Sequence, residues 1–303
     1  MELLEATFKF TAISTIAIAI AACAGGGGAS LATSPISTAG LSVSAPANFN
    51  NATAKGTLGT PSIDPTFTLS TTGSLSAGTV TALTINTVNA TTTGNSFTIA
   101  QDATHSVTST PGSAEASLTT PTANSTQDIV VGQPAGFSYT QIGSWGQCSA
   151  NCIAGTTTEV VGIFVRGEAT APANIPTTGS FTYNGTAFGV GTDSAGNVAS
   201  GLSNMAANAN FASRSIAFST SGTVITPSAT GVGVSDPTFD MVGTLTYAAG
   251  QNLFTGTVTA GSGVTAQTGT ATGRFNGPAA QEIGGVFSLS GSGRSLIGGF
   301  TGK

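Results

Sequence analysis

From Gly243 onward, threonines alternate with small or apolar residues almost without a break. In Gly243-Thr-Leu-Thr-Tyr247, Leu245 and Tyr247 share one side and Thr244 and Thr246 the other. Phe254-Thr-Gly-Thr-Val258 repeats the arrangement, and Ala248 to Asn252 supplies a turn between the two. A period of two belongs to a strand with one dry and one wet face; an amphipathic helix needs a period near 3.6. Thr268 to Asn276 then sets Gly269, Ala271, Gly273 and Phe275 against Thr270, Thr272 and Arg274. Small residues on an inward face let strands curl tightly, as a closed barrel requires. Gly284 to Leu289 and Ile297 to Phe300 finish the chain as two more strands. Meander order with alternating faces predicts an all-β protein with an antiparallel barrel, which removes its own edges. One stretch competes: in Gly201 to Phe211, Leu202, Met205, Ala206 and Ala209 fit one helical face.

Composition narrows the rest. Charged residues make up 6% of the 303-residue chain, against roughly 25% in an average soluble domain. Apolar residues at 39%, with 16 Phe, still provide a core. A net charge of -5 without a basic patch excludes nucleic acid as a partner. No catalysis is expected: His105 is the sole histidine and no nucleophile elbow serves it, no Cys/His cluster has zinc spacing, and the carboxylates are isolated.

The amino-terminal region reads as an address. Residues Ile13 to Ala22 form an apolar run, too short for the roughly 20 residues of a membrane span, and Ile20-Ala21-Ala22-Cys23 has the lipobox pattern. Residues 1–22 are therefore assigned to a lipoprotein signal peptide, with Cys23 as the lipidated residue; an ordinary secretory signal is the alternative. Several acyl chains suffice for stable membrane anchoring. Gly25 to Gly28 and a Ser/Thr/Ala/Pro-rich tract lead on, so residues 23–50 are assigned to a flexible tether. Cys148 and Cys152, four apart in a Ser/Asn-containing turn, read as a disulfide in an oxidising compartment. A metal pair or redox site is the alternative, but no His or further Cys lies nearby to support a metal.

The run Gly269-Thr-Ala-Thr-Gly-Arg-Phe275, continued as Asn276-Gly-Pro-Ala-Ala-Gln-Glu-Ile-Gly-Gly-Val-Phe287 and ending in Gly298-Gly-Phe-Thr-Gly-Lys303, closely resembles the barrel signature of the transferrin-binding protein B family. Gly179-Ser-Phe-Thr-Tyr183 resembles an earlier barrel strand of that family, and Phe137-Ser-Tyr139 with Gly143-Ser-Trp145 its opening one. The resemblance is specific over roughly 125–303 and weak over 45–120. It implies an eight-stranded barrel (residues 125–303) preceded by a smaller β handle (residues 51–124), together one lobe. It also implies an outer-membrane, lipid-anchored protein, on the cell surface, that captures a nutrient ligand for uptake. That ligand would be a host or environmental iron or haem carrier, haem itself as a candidate cofactor, or a small solute. An outer-membrane transporter and a lipoprotein translocator would be its partners. An adhesin or host-factor binder without a transport role is the alternative reading, and an integral outer-membrane barrel a third, disfavoured by short strands with Thr-rich outer faces.

Within that frame His105, Tyr139 and Trp145 are the ligand-binding candidates. His105 can ligate haem iron alone or with Tyr139, Tyr183 or Tyr247; its competing role is a solvent-facing loop residue beside Asp102. Trp145 competes as a core or rim anchor. Arg274 and Glu282 flank the Gly277-Pro278 turn, either paired across it or separately solvated. The repeated Asp-Pro-Thr-Phe at Asp64 to Phe67 and Asp236 to Phe239 reads as two turns entering strands.

Overall fold

The computed structural model describes residues 36–50, 54–88, 95–118, 126–148 and 159–303. Its first eleven strands are β1 (Gly40–Asn50), β2 (Lys55–Leu58), β3 (Ser62–Asp64), β4 (Thr68–Thr72), β5 (Ala82–Thr87), β6 (Asn95–Ala100), β7 (His105–Thr110), β8 (Ser113–Leu118), β9 (Thr126–Gly132), β10 (Thr140–Cys148) and β11 (Glu159–Gly167). The remainder are β12 (Ser180–Thr192), β13 (Val198–Asn210), β14 (Ser215–Pro227), β15 (Val234–Ser235), β16 (Met241–Tyr247), β17 (Leu253–Ala260), β18 (Gln267–Asn276), β19 (Glu282–Gly291) and β20 (Arg294–Gly302).

The second group closes into a barrel. The order β13-β12-β20-β19-β18-β17-β16-β14 returns on itself through β13–β14 pairing, and short β15 adds to β14. All its ladders are antiparallel, and β16–β17 is the hairpin that the alternating threonines predict. Its interior is packed with buried side chains. Phe275, fully buried, meets the rings of Tyr247 and Phe254 edge-on at 5.3 and 5.2 Å, with Phe211 and Tyr183 tilted at 5.8 and 6.1 Å. Gly273 makes room for this cluster, since a Cβ there would meet the Phe254 ring at 2.3 Å. Each buried aromatic contributes about 1.5–3 kcal/mol through area alone.

The first group forms a handle of two packed sheets, one ordered β2-β1-β11-β10-β9-β8-β7 with β3 on β1, the other β4-β5-β6. Between them lie Phe67, Phe164, Phe97 and Trp145, and Arg166 ties them together. Its Nε donates to Gln141 Oε1 and its Nη1 to the Leu69 carbonyl. Burial lowers the Arg166 pKa to about 10, so the guanidinium stays charged at neutral pH and is satisfied by oxygen dipoles.

Three sequence readings differ from what the structure shows. Gly40–Asn50, assigned to the tether, is the strand β1 between β2 and β11. Leu41, Val43, Ala45 and Ala47 face the barrel while Ser42 and Ser44 are buried on the other side. A strand enclosed on both faces by small residues lacks the bulky alternation that marks a strand in sequence. Thr126–Gly132, Thr140–Cys148 and Glu159–Gly167, assigned to the barrel, are β9, β10 and β11 of the handle sheet, and the described barrel strands begin at β12. The Phe137 to Trp145 segment thus lies outside the barrel. Gly201 to Phe211 contributes to β13 and no helix: Met205, Ala207 and Ala209 point inward at a period of two. No helix among the described residues is long and apolar enough to cross a membrane.

Candidate functional site

The handle lies along the barrel wall, and the seam between them has three parts. Its middle is apolar. Phe188, Val190, Val286 and Ile297 project outward from barrel strands into Val43, Ile163 and their neighbours on the handle. Gly284 and Gly299 permit this approach, because a Cβ on Gly284 would stand 2.6 Å from Val165 Cγ1 and one on Gly299 3.1 Å from Ile163 Cγ2.

One end of the seam is a polar joint built from the signature run. Glu282 is buried, and its carboxylate accepts from the Ser138 and Tyr139 amides at 2.6 and 3.0 Å. Burial nevertheless raises its pKa, the two amides and the Thr140 hydroxyl pulling the other way. Asn276 Nδ2 donates to Thr140 Oγ1, the Gly277 amide to the Glu168 carbonyl, and Thr170 Oγ1 to the Gly277 carbonyl. Lys303 Nζ donates to the Gly136 carbonyl and lies 5.6 Å from the Phe137 ring centre. Residues that make the signature recognisable therefore fasten handle to barrel. Arg274 and Glu282 do not pair across the turn: Arg274 Nη2 donates to the Pro65 carbonyl while Glu282 faces the Ser138 amide.

The opposite end of the seam opens into a cleft of about 500 Å³ between the β2–β3 segment and two barrel hairpins, β12–β13 and β19–β20. Its base is fixed: the Gly56 amide donates to the Gly196 carbonyl at 2.8 Å, Lys55 Nζ to the Ala195 carbonyl at 2.9 Å, and the Val198 amide to the Ala54 carbonyl at 3.1 Å. Sequence reasoning missed this cleft, because its walls come from three segments that carry no motif.

The three ligand candidates stand in different places. Trp145 is fully buried in the handle core, its Nε1 donating to Ser42 Oγ and its ring edge-on to Phe97. Tyr139 is half-buried at the polar joint, its carbonyl accepting from the Glu168 amide. His105 begins β7, where its Nδ1 lies 3.0 Å from Asp102 Oδ1 and its amide donates to the same oxygen. Asp102 is held below the usual carboxylate range, first by the Thr104 amide and then by His105. Tyr183 and Tyr247 are buried in the barrel, Tyr183 donating to the Ala280 carbonyl. These side chains stand in separate parts of the molecule and form no common site. Among the described residues no three His, Cys, Asp or Glu converge as a metal site. Cys148 closes β10 opposite Thr126. Cys23 and Cys152, and with them the lipidation and disulfide assignments, lie outside the described residues. Both Asp-Pro-Thr-Phe segments are turns: Asp64 Oδ1 and Asp236 Oδ1 each accept from the amide and hydroxyl of the threonine two residues on.

A handle welded to a filled barrel, with an open cleft between them, defines a one-lobe, handle-and-barrel β protein. Residues 175–303, which include the whole barrel, match the family described as C-lobe and N-lobe beta barrels of Tf-binding protein B. Similar solved structures include intact Ap-TbpB with its N and C lobes, at 13% identity over 89% of this chain and 77% of that one, TM-score 0.44. A double mutant of transferrin binding protein B from Haemophilus parasuis Hp5 shares 14% identity over 80% of this chain and 54% of its own, TM-score 0.43. A protein described as a surface lipoprotein shares 13% over 87% and 98%, TM-score 0.42. No curated protein matches.

Proposed function

We propose that this protein is a cell-surface lipoprotein, held at the outer membrane by lipid on Cys23, that captures an iron carrier for uptake through an outer-membrane transporter. The match of residues 175–303 to the barrels of Tf-binding protein B carries this reading. The fold supports capture by the outer surface, since the barrel interior is packed with buried side chains. At the cleft end, Val232 before β15, Val234 in β15 and Val264 in the β17–β18 connection have 63%, 57% and 90% of their surface exposed. Exposed apolar loops on a chain this poor in charge suit a large partner whose contact area is itself apolar. A dedicated translocator would deliver the lipoprotein to the exterior. The reading is one of binding, with no catalytic step.

The test is retention of iron-loaded transferrin on the immobilised full chain, beside its iron-free form. Retention of the loaded form is expected, falling at least about tenfold, roughly 1.4 kcal/mol, in Val232→Asp/Val264→Asp with an unchanged melting temperature. Failure to retain any iron carrier, with normal iron-limited growth of a deletion strain, would remove the reading. Labelled palmitate should enter the protein and be lost in Cys23→Ala. A haem titration is expected to give no Soret shift, because His105, Tyr139 and the buried Tyr183 and Tyr247 converge on no common site.

A further inference from the structure

The cleft at the open end of the seam has side chains that the handle–barrel contact leaves unused. Thr57, Thr60, Thr192, Ser194, Ser290 and Ser295 line it, and among the described residues none of these hydroxyls makes a hydrogen bond to another residue. Asp193 is turned away from the space in its chemistry: Oδ1 accepts from the Ala195 and Asn197 amides, both at 2.8 Å, and Oδ2 from Asn197 Nδ2. Arg294 is the guanidinium of the lining. It lies 4.8 Å from the Phe239 ring centre and donates through Nη1 to Thr238 Oγ1 at 2.7 Å. No carboxylate pairs with it among the described residues, and its Nε is buried without a partner. The Thr238 hydroxyl passes the contact on to Asp236 Oδ1, so Arg294 reaches a carboxylate only through a bridging hydroxyl and keeps capacity for a direct ion pair, and surrounding hydroxyls are a set of paired donors and acceptors.

We infer that the cleft binds a small hydroxylated carboxylate, the carboxylate meeting Arg294 and the ligand's hydroxyls meeting the threonine and serine walls. The volume is in the range of small-molecule sites, and domain interfaces are their usual place. Large apolar and aromatic side chains are nearly absent from the lining, with Leu58 the exception, so the site selects against aromatic or greasy ligands. The clamp of Lys55 and Gly56 on the β12–β13 hairpin sets the walls before ligand arrives, which lowers the ordering cost of binding. Within the proposed function this gives a nutrient-capturing surface a second, small-solute site; it rests on that reading only for its biological use.

The experiment is calorimetric titration of the purified full chain with citrate and gluconate, beside acetate and glucose, which carry one half of the chemistry each. One-site binding of citrate or gluconate is expected at about 0.1–1 mM, an ordinary strength for an ion pair with several neutral hydrogen bonds. Acetate and glucose should bind at least about tenfold more weakly. Arg294→Gln should abolish the heat. Because Arg294 also packs on Phe239, Thr57→Val/Ser290→Ala serves as a second variant on the cleft surface, expected to weaken binding at least about fivefold at unchanged melting temperature. No saturable heat up to 20 mM (roughly the weakest useful limit), equal binding of acetate, or unchanged binding in both variants would each overturn the inference. None of these results involves a protein partner, so they leave the transferrin retention test standing.

Discussion

Asp128 on β9 is the residue with the least comfortable surroundings. It is buried, its Oδ2 has no hydrogen-bond partner, and β10 places Gly146 opposite it. Desolvation raises its pKa well above the ordinary 3.8, and Glu159 and then Glu115 push it further. The linkage follows from the proton count. Between pH 3.8 and the raised folded value the folded chain holds a proton that the unfolded chain has released, so stability falls as pH rises through that window. Asp128→Asn should therefore raise stability above the window, by about 1–3 kcal/mol if the full cost of an unsatisfied buried group is relieved, and change little below it. Melting curves of both proteins across pH 4 to 9 (roughly the interval a raised carboxyl spans) check this; parallel curves would refute it. In sequence, Asp128 sits in Gln127-Asp-Ile-Val130 and looks like one of several isolated acids. Its burial depends on what β8 and β10 place around it.

At the scale of one element, β7 explains what the histidine does. It is the outer strand of the handle sheet, and an outer strand offers unpaired amides to any passing chain. Here the β6–β7 turn folds back over it. The His105 amide donates to Asp102 Oδ1 and the Val107 amide to Gln101 Oε1, both at 2.7 Å, while the His105 carbonyl accepts from the Asp102 amide. The loop is a cap. Gln101→Ala/Asp102→Ala should expose those amides and produce concentration-dependent self-association, seen as a rising weight-average mass in sedimentation equilibrium. A variant that stays monomeric would show the edge needs no such cover. Asp102 is held below the ordinary carboxylate range, so the cap should persist through mildly acidic pH. The sequence reading weighed a solvent-facing loop residue beside Asp102 against a haem ligand; the structure places His105 as the first residue of β7, against Asp102.

At the scale of the whole molecule, one seam decides whether handle and barrel act as a unit. Glu282→Ala removes the acceptor of two backbone amides and is expected to cost about 2–4 kcal/mol. Gly284→Val forces a side chain against Val165 and should cost about 1–3 kcal/mol by overpacking. In calorimetry the parent should melt in one transition, and Gly284→Val in two as the handle separates. A single transition at unchanged temperature in Gly284→Val would mean that the apolar middle of the seam tolerates spreading.

By itself the sequence determined strand content, the β16–β17 hairpin and the closed meander, because alternation and turn residues are local properties that a chain carries wherever it goes. It also marked Asn276 to Glu282 as distinctive, without revealing that the segment is a joint. Tertiary structure alone decided that Gly40–Asn50 is a buried strand, that β9–β11 belong to the handle, and that Trp145, Tyr139 and His105 lie in separate places. It also decided that Thr57, Thr192 and Ser290 share one cleft. Each of these depends on which distant segment lies opposite, and neither period nor composition specifies a partner more than a hundred residues away.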